Sequence, residues 1–126
     1  MLVDDNEDDN FYHEREISKY NGELKVVSME LCREALEYLR LEKKNESMLP
    51  DLIFLDINMP RMNGWEFLNE YDKIDKELVK KGKIIMLTSS DNPQDIERAK
   101  TWSFVSDYYI KPLTREKMLE IVRKYF

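Results

Sequence analysis

Four apolar runs in this chain end on side chains that can do chemistry. Met1–Val3 ends in Asp4-Asp5, and Leu52–Leu55 ends in Asp56, with Asn58 just beyond. Ile84–Leu87 ends in Thr88-Ser89-Ser90, and Tyr108–Ile110 ends in Lys111-Pro112. Brought to one edge, these ends supply three carboxylates, a hydroxyl and an ammonium. Two carboxylates about 4 Å apart repel by roughly 4 kcal/mol at an effective dielectric near 20. Such a cluster either takes up protons or recruits a cation. Every candidate ligand is oxygen, which disfavours zinc, and the carboxylates are too few for a full calcium cage. Mg²⁺, which keeps some waters and pairs with phosphate, fits better, and Mn²⁺ is a permitted substitute. A hard cation, a lysine and a hydroxyl around a carboxylate point to phosphoryl transfer. Asp56 would be the nucleophile that becomes an aspartyl-phosphate, with Thr88 and Lys111 on its peripheral oxygens.

These ends must be positioned by alternating elements. The runs, with a fifth at Leu24–Val27, are mostly continuous rather than alternating, as in parallel strands covered on both faces. The fifth ends in Ser28-Met29-Glu30 and carries nothing chemically pointed. Between the runs lie helical spacings. Phe11 and Ile17 mark the first, and Leu31, Ala35, Leu36 and Leu39 the second, with Cys32 on the same side. Trp65, Leu68 and Tyr71 mark the third, Ile96, Ala99 and Lys100 the fourth, and Met118, Ile121, Val122 and Tyr125 the fifth. Asn92, followed by Pro93, is placed to cap the fourth helix, and Thr114 the fifth. The stretches 43–51 and 80–83 read as surface loops. The pattern is (βα)5, a doubly wound α/β sheet whose ligands bind outside the carboxyl ends of the strands. The first strand is short against the usual five or six residues, which suggests that the natural chain begins upstream of Met1.

The whole chain, residues 1–126, has the size of one domain. With 42% hydrophobic and 37% charged residues it suits a globular fold rather than disorder. A net charge of -6 argues against gripping nucleic acid. Cys32 is the only cysteine, which excludes an internal disulfide and fits a reducing, cytoplasmic setting. No apolar run approaches a membrane span and no signal peptide opens the chain.

The stretches "VDDN" (3–6), "DLIFLDINMPRMNGWEF" (51–67), "IIMLTSS" (84–90) and "DYYIKPLT" (107–114), in this order and spacing, resemble the receiver domain of bacterial response regulators, over essentially the whole chain. The resemblance implies a flavodoxin-like five-stranded parallel sheet of order 2-1-3-4-5. It implies Asp56 as phosphoacceptor, Asp4 and Asp5 as the acidic pair, and Asp5 as the more direct metal ligand. Asn58 would offer its backbone carbonyl to the metal. Thr88 would be the switch hydroxyl, Lys111 the phosphate-binding ammonium, Tyr108 the aromatic switch, and Pro112 would follow a cis bond. Asn58 and Ser90 occupy positions that tune self-dephosphorylation. Ser90, lacking a carboxylate or amide to orient water, implies a modest rate. The implied partners are a sensor histidine kinase or phosphotransfer protein as donor and an unidentified protein target, reached through the helix 4–strand 5–helix 5 face. A phosphorylation-dependent dimer is compatible with the family. No output domain follows in this chain, so it reads either as a stand-alone receiver acting by protein contact or as a part cut from something longer, and in both cases as a switch rather than a turnover enzyme.

Blander roles compete for several residues. Asp56 alone would be a cap or turn residue, and Glu7, Asp8 and Asp9 read as a capped, solvated helix start. His13 reads as a helix-surface residue, Cys32 and Trp65 as core, and Gly64 as a turn needing unusual backbone angles. Trp102 reads first as a packing residue, with a partner-facing role as the alternative, and Trp102 and Phe104 would make the output face more apolar. A haloacid-dehalogenase-like phosphatase would need a second aspartate at Asn58, which has no titratable proton to give. A flavin module would want a Ser/Thr/Gly-rich first loop, where this chain has "DDNEDDN". A degenerate receiver that binds a partner without phosphorylation would not need the acidic pair, Asp56, Thr88 and Lys111 together.

Overall fold

A computed structural model of the chain describes residues 1–75 and 82–126. Its sheet has five parallel strands, β1 (Leu2–Val3), β2 (Ser28–Met29), β3 (Leu52–Leu55), β4 (Lys83–Thr88) and β5 (Val105–Ile110). Their spatial order is β2-β1-β3-β4-β5, the flavodoxin-like order. The described helices are α1 (Glu7–Tyr20), α2 (Cys32–Leu41), α3 (Gly64–Asp72), α4 (Pro93–Ala99) and α5 (Arg115–Tyr125).

The continuous apolar runs are divided between two cores by the period of two in a strand. Leu2, Phe54, Ile85 and Leu87 pack on one face against Ile17 of α1 and Met118 and Ile121 of α5. Val3, Ile53, Leu55, Ile84 and Met86 pack on the other against Cys32, Ala35, Leu36 and Leu39 of α2 and Trp65, Phe67 and Leu68 of α3. Burial on both faces is why these strands do not alternate with polar residues.

Helix starts follow local chemistry. The side chains of Asn92 and Thr114 accept from the backbone N–H of Gln94 and Lys117, with Pro93 opening α4. Asn6 accepts from Asp9 N at 3.0 Å and fixes the first turn of α1. Asn63 and Glu66 form a reciprocal capping box on α3.

Four details differ from the sequence reading. The paired residues of β2 are Ser28–Met29 rather than Leu24–Val27. Leu24 lies in a turn, its N–H donating to Asn21 O, and is 44% exposed. β2 is an edge strand with one neighbour, so apolarity does not fix its register. β4 begins at Lys83, taken above as loop, while residues 80 and 81 of that loop lie outside the described residues. Phe11 points outward and His13 inward, because the buried positions Asn10, His13 and Ile17 follow the 3–4 spacing of one α1 face. Trp102 packs, as its first reading has it, rather than standing out toward a partner. Its ring stacks on Trp65 (centroids 5.6 Å apart, planes 10° apart), and Phe104 packs on Tyr71 at 5.2 Å. Gly64 does not have a positive φ. Among the described residues Arg61 has one, at 66°. Gly64 is required for room, since a Cβ there would overlap the Asp56 carbonyl oxygen and lie 3.0 Å from Ile57 Cα.

Candidate functional site

The carboxyl ends of β1, β3, β4 and β5 converge at one edge. Asp56 follows β3 and is buried, with Asp4 buried beside it at the end of β1. Asp5 is exposed at the rim. Carboxylate oxygens from Asp4, Asp5 and Asp56 lie within 4.8 Å of one another. The chain therefore gathers the negative charge that the strand ends predict.

Each group is held from its own element. Asp4 Oδ1 accepts from Asn6 N at 2.9 Å, and Asn10 Nδ2 donates to the Asp4 backbone carbonyl at 2.8 Å. Asp56 Oδ1 accepts from Ile57 N at 2.8 Å, and the fully buried Thr88 lies beside the same carboxylate and favours its charged form. Lys111 donates its backbone N–H to Thr88 O at 2.8 Å, and the Lys111–Pro112 bond is cis. Its ammonium lies 2.6 Å from Asp4 Oδ2, 2.7 Å from Asp9 Oδ2 and 3.4 Å from Asp56 Oδ2.

The electrostatics follow from burial and crowding. Burial first, and then the charge of Asp4, raise the Asp56 pKa, against the opposing pull of Lys111, Thr88 and the Ile57 N–H. For Lys111, burial works to lower the pKa. Hydrogen bonds to Asp4 and Asp9 and the charge of Asp56 outweigh it and hold the ammonium firmly protonated. His13 is buried on α1 and its pKa is lowered, chiefly by burial and then by the Lys111 charge.

The remaining residues fall around this centre. Asn58 is exposed, two residues past Asp56. Ser90 Oγ donates to Asp95 Oδ2 at 2.6 Å and accepts from Asn92 N at 3.3 Å, so it is tied into the start of α4. Tyr108, half-buried on β5, donates its hydroxyl to Ser90 O at 2.8 Å and so links β5 to the loop after β4.

Asp9 is the residue that sequence reasoning missed. Read as a solvated helix start, it instead reaches Lys111 across 102 positions of sequence. Its signal was faint: Asn6 as a cap places Asp9 in the first turn of α1, beside the end of β1.

The arrangement can hold a hard cation on oxygen ligands and present a buried carboxylate next to a hydroxyl and an ammonium. A probable methanogenesis regulatory protein, FilR2, of Methanothrix harundinacea is 32% identical over 90 residues, covering 71% of this chain and 56% of its own length. The sensor histidine kinase CheAY of Helicobacter pylori is 34% identical over 91 residues, covering 72% of this chain but 10% of its own length. The chain thus spans about half or less of such relatives. Among solved structures, a two-component response regulator from Cytophaga hutchinsonii superposes with a TM-score of 0.88 at 28% identity, covering 98% of this chain and 92% of that one. A response regulator receiver protein from Dyadobacter fermentans gives 0.86 at 26% identity, covering 99% and 94%. The family model described as response regulator receiver domain matches residues 1–123, and the chain belongs to that family of two-component signalling domains.

Proposed function

We propose that the chain is a phosphorylation-driven switch that accepts a phosphoryl group on Asp56 from a histidine kinase or phosphotransfer protein. The observation that carries this reading is the packing of a buried Asp56 carboxylate between Lys111, Thr88 and the acidic pair. The clustered, all-oxygen donor set suits Mg²⁺, which Asp4, Asp5, Asp56 and the Asn58 backbone carbonyl would hold. Bound there, the cation would supply charge neutralisation for phosphoryl oxygens.

The chain's own residues do the rest. Asp56 Oδ1 is occupied by the Ile57 N–H, which leaves Oδ2, the oxygen facing Lys111, to attack phosphorus. The new P–O bond forms as the P–N bond to the donor histidine breaks, and the histidine nitrogen keeps that electron pair. Lys111 and Thr88 then donate to the peripheral oxygens, where charge accumulates. Thr88 is also bonded to the loop after β4, its Oγ accepting from Ser90 N at 3.3 Å, and Ser90 O receives the Tyr108 hydroxyl. Turning the Thr88 hydroxyl toward phosphate therefore perturbs a chain of contacts that ends on the α4–β5–α5 face. A local charge event thereby biases partner binding.

The test is incubation with acetyl phosphate and Mg²⁺, followed by intact mass. One phosphoryl group is gained, it maps to Asp56, and a chelator abolishes the gain. No gain, or a gain that maps elsewhere, overturns the reading.

Phosphate lifetime is a second measurable. Ser90 Oγ is engaged with Asp95 and Asn92 and does not offer a group to orient water. Ser90→Glu places a carboxylate at the rim and is expected to shorten the aspartyl-phosphate lifetime severalfold. An unchanged decay rate counts against a tuning role for this position.

A further inference from the structure

We infer that Asp9 is a positioning residue that competes with the incoming phosphoryl group for Lys111. This rests on the proposed phosphorylation of Asp56. Asp9 lies outside the Asp4, Asp5 and Asp56 cluster. Yet the Lys111 ammonium makes one of its two short contacts to Asp9, at 2.7 Å, and a longer one, at 3.4 Å, to the phosphoacceptor.

An ammonium has three N–H donors, and here carboxylates face all of them. To bond a phosphoryl oxygen on Asp56, Lys111 must release a partner. Asp4 is the poorer candidate. Its side chain is 7% exposed, and its other oxygen and its backbone carbonyl are already bonded to Asn6 N and Asn10 Nδ2. Asp9 is 37% exposed, so water can replace the lysine when it leaves. Asp9 is also held in place without the lysine, because its backbone is fixed by the Asn6 cap. It acts as a preformed latch, holding Lys111 toward α1 until a phosphoryl group arrives. Removing its charge frees a donor for the transferring group and deletes a negative charge that the phosphoryl group must approach. Both effects speed uptake.

The experiment uses acetyl phosphate at saturating Mg²⁺ and compares wild type, Asp9→Asn and Asp8→Asn. In each case the phosphoryl group passes to an Asp56 oxygen and acetate leaves with the electron pair, so no co-reactant is needed. A half-exposed ion pair is worth up to about 1 kcal/mol, so Asp9→Asn is expected to take up phosphate roughly two- to fivefold faster. Asp8→Asn removes the same charge from the same turn at an exposed position and is expected to match wild type. Equal acceleration in both variants means diffuse repulsion and overturns the latch. So does an unchanged or slower rate in Asp9→Asn. Failure of wild type to take up any phosphoryl group overturns both the latch and the function beneath it. A readout without metal or phosphate completes the test. In chelator, the Tm change caused by Asp9→Asn is more negative by a few degrees with Lys111 present than in the Lys111→Met background. Equal changes in the two backgrounds overturn the pairing itself.

Discussion

Asp56→Asn takes up no phosphoryl group from acetyl phosphate, yet in metal-free buffer at neutral pH it melts several degrees above the parent protein. The first half follows from chemistry: an amide is a far poorer nucleophile than a carboxylate, and its neutral group also weakens the cation site. The second half follows from what the carboxylate costs. Asp56 is buried next to Asp4, and these two effects raise its pKa despite Lys111, Thr88 and the Ile57 N–H. A raised folded-state pKa means that the native protein binds this proton more tightly than the unfolded chain does. The associated stability is present below the ordinary value of 3.8 and is lost as pH rises through the folded pKa. At neutral pH the ionised group therefore burdens the fold, and asparagine, nearly isosteric, lifts that burden. A gain on the order of 1 kcal/mol corresponds to roughly 3–6 °C in a domain of this size. The Lys111 ammonium is not stranded, because its short contacts to Asp4 and Asp9 remain. Mg²⁺ raises the wild-type Tm and moves the variant less. The check is paired melting curves in chelator and in Mg²⁺. A variant that melts below wild type in chelator would show that Asp56 contributes net stability and that the site is not held under electrostatic load.

The same balance explains which parts of the site were legible in the sequence. Asp56, Thr88 and Lys111 each terminate a run whose apolar character dictates a strand, so their common edge follows from topology alone. Asp9 terminates nothing. Its role depends on how the first turn of α1 is rotated against the end of β5, a long-range juxtaposition that no local spacing encodes. His13 was misplaced for a related reason: a face formed by Asn10, His13 and Ile17 has too little apolar weight to reveal its direction. β2 slipped because an edge strand with a single neighbour leaves its register weakly specified. That Trp102 packs was legible, but its partner was not: the Trp65 ring on which it stacks, with the Arg98 guanidinium 4.6 Å over that ring, is a tertiary fact.

Gly64→Ala is the substitution expected to cost the fold most for the fewest atoms. Glycine is used either for backbone angles that other residues avoid or for space, and the two uses make different predictions. Gly64 opens α3 without a positive φ, so alanine meets no backbone penalty there. It meets atoms instead. The added methyl would overlap the Asp56 carbonyl oxygen, 3.0 Å from Ile57 Cα and 3.2 Å from the Asp56 carbonyl carbon. None of these is the flexible end of a side chain, so relief requires α3 to move away from the β3 exit. Two ties resist that movement. The Gly64 N–H donates to Ile57 O at 2.8 Å, and Trp65, Phe67 and Leu68 are locked into the core. Overpacking of this kind costs about 2–3 kcal/mol, a Tm loss of roughly 8–12 °C. The backbone that yields carries Asp56, the proposed phosphoacceptor, so phosphoryl uptake is expected to slow in whatever fraction remains folded. Gly22→Ala is the matched control, since its Cβ would meet only Ser18 O at an ordinary 3.8 Å, and its Tm is expected to stay within about 2 °C of wild type. If Gly64→Ala melts as close to wild type as Gly22→Ala does, the β3 exit and α3 separate easily, and Asp56 is not pinned by their close approach.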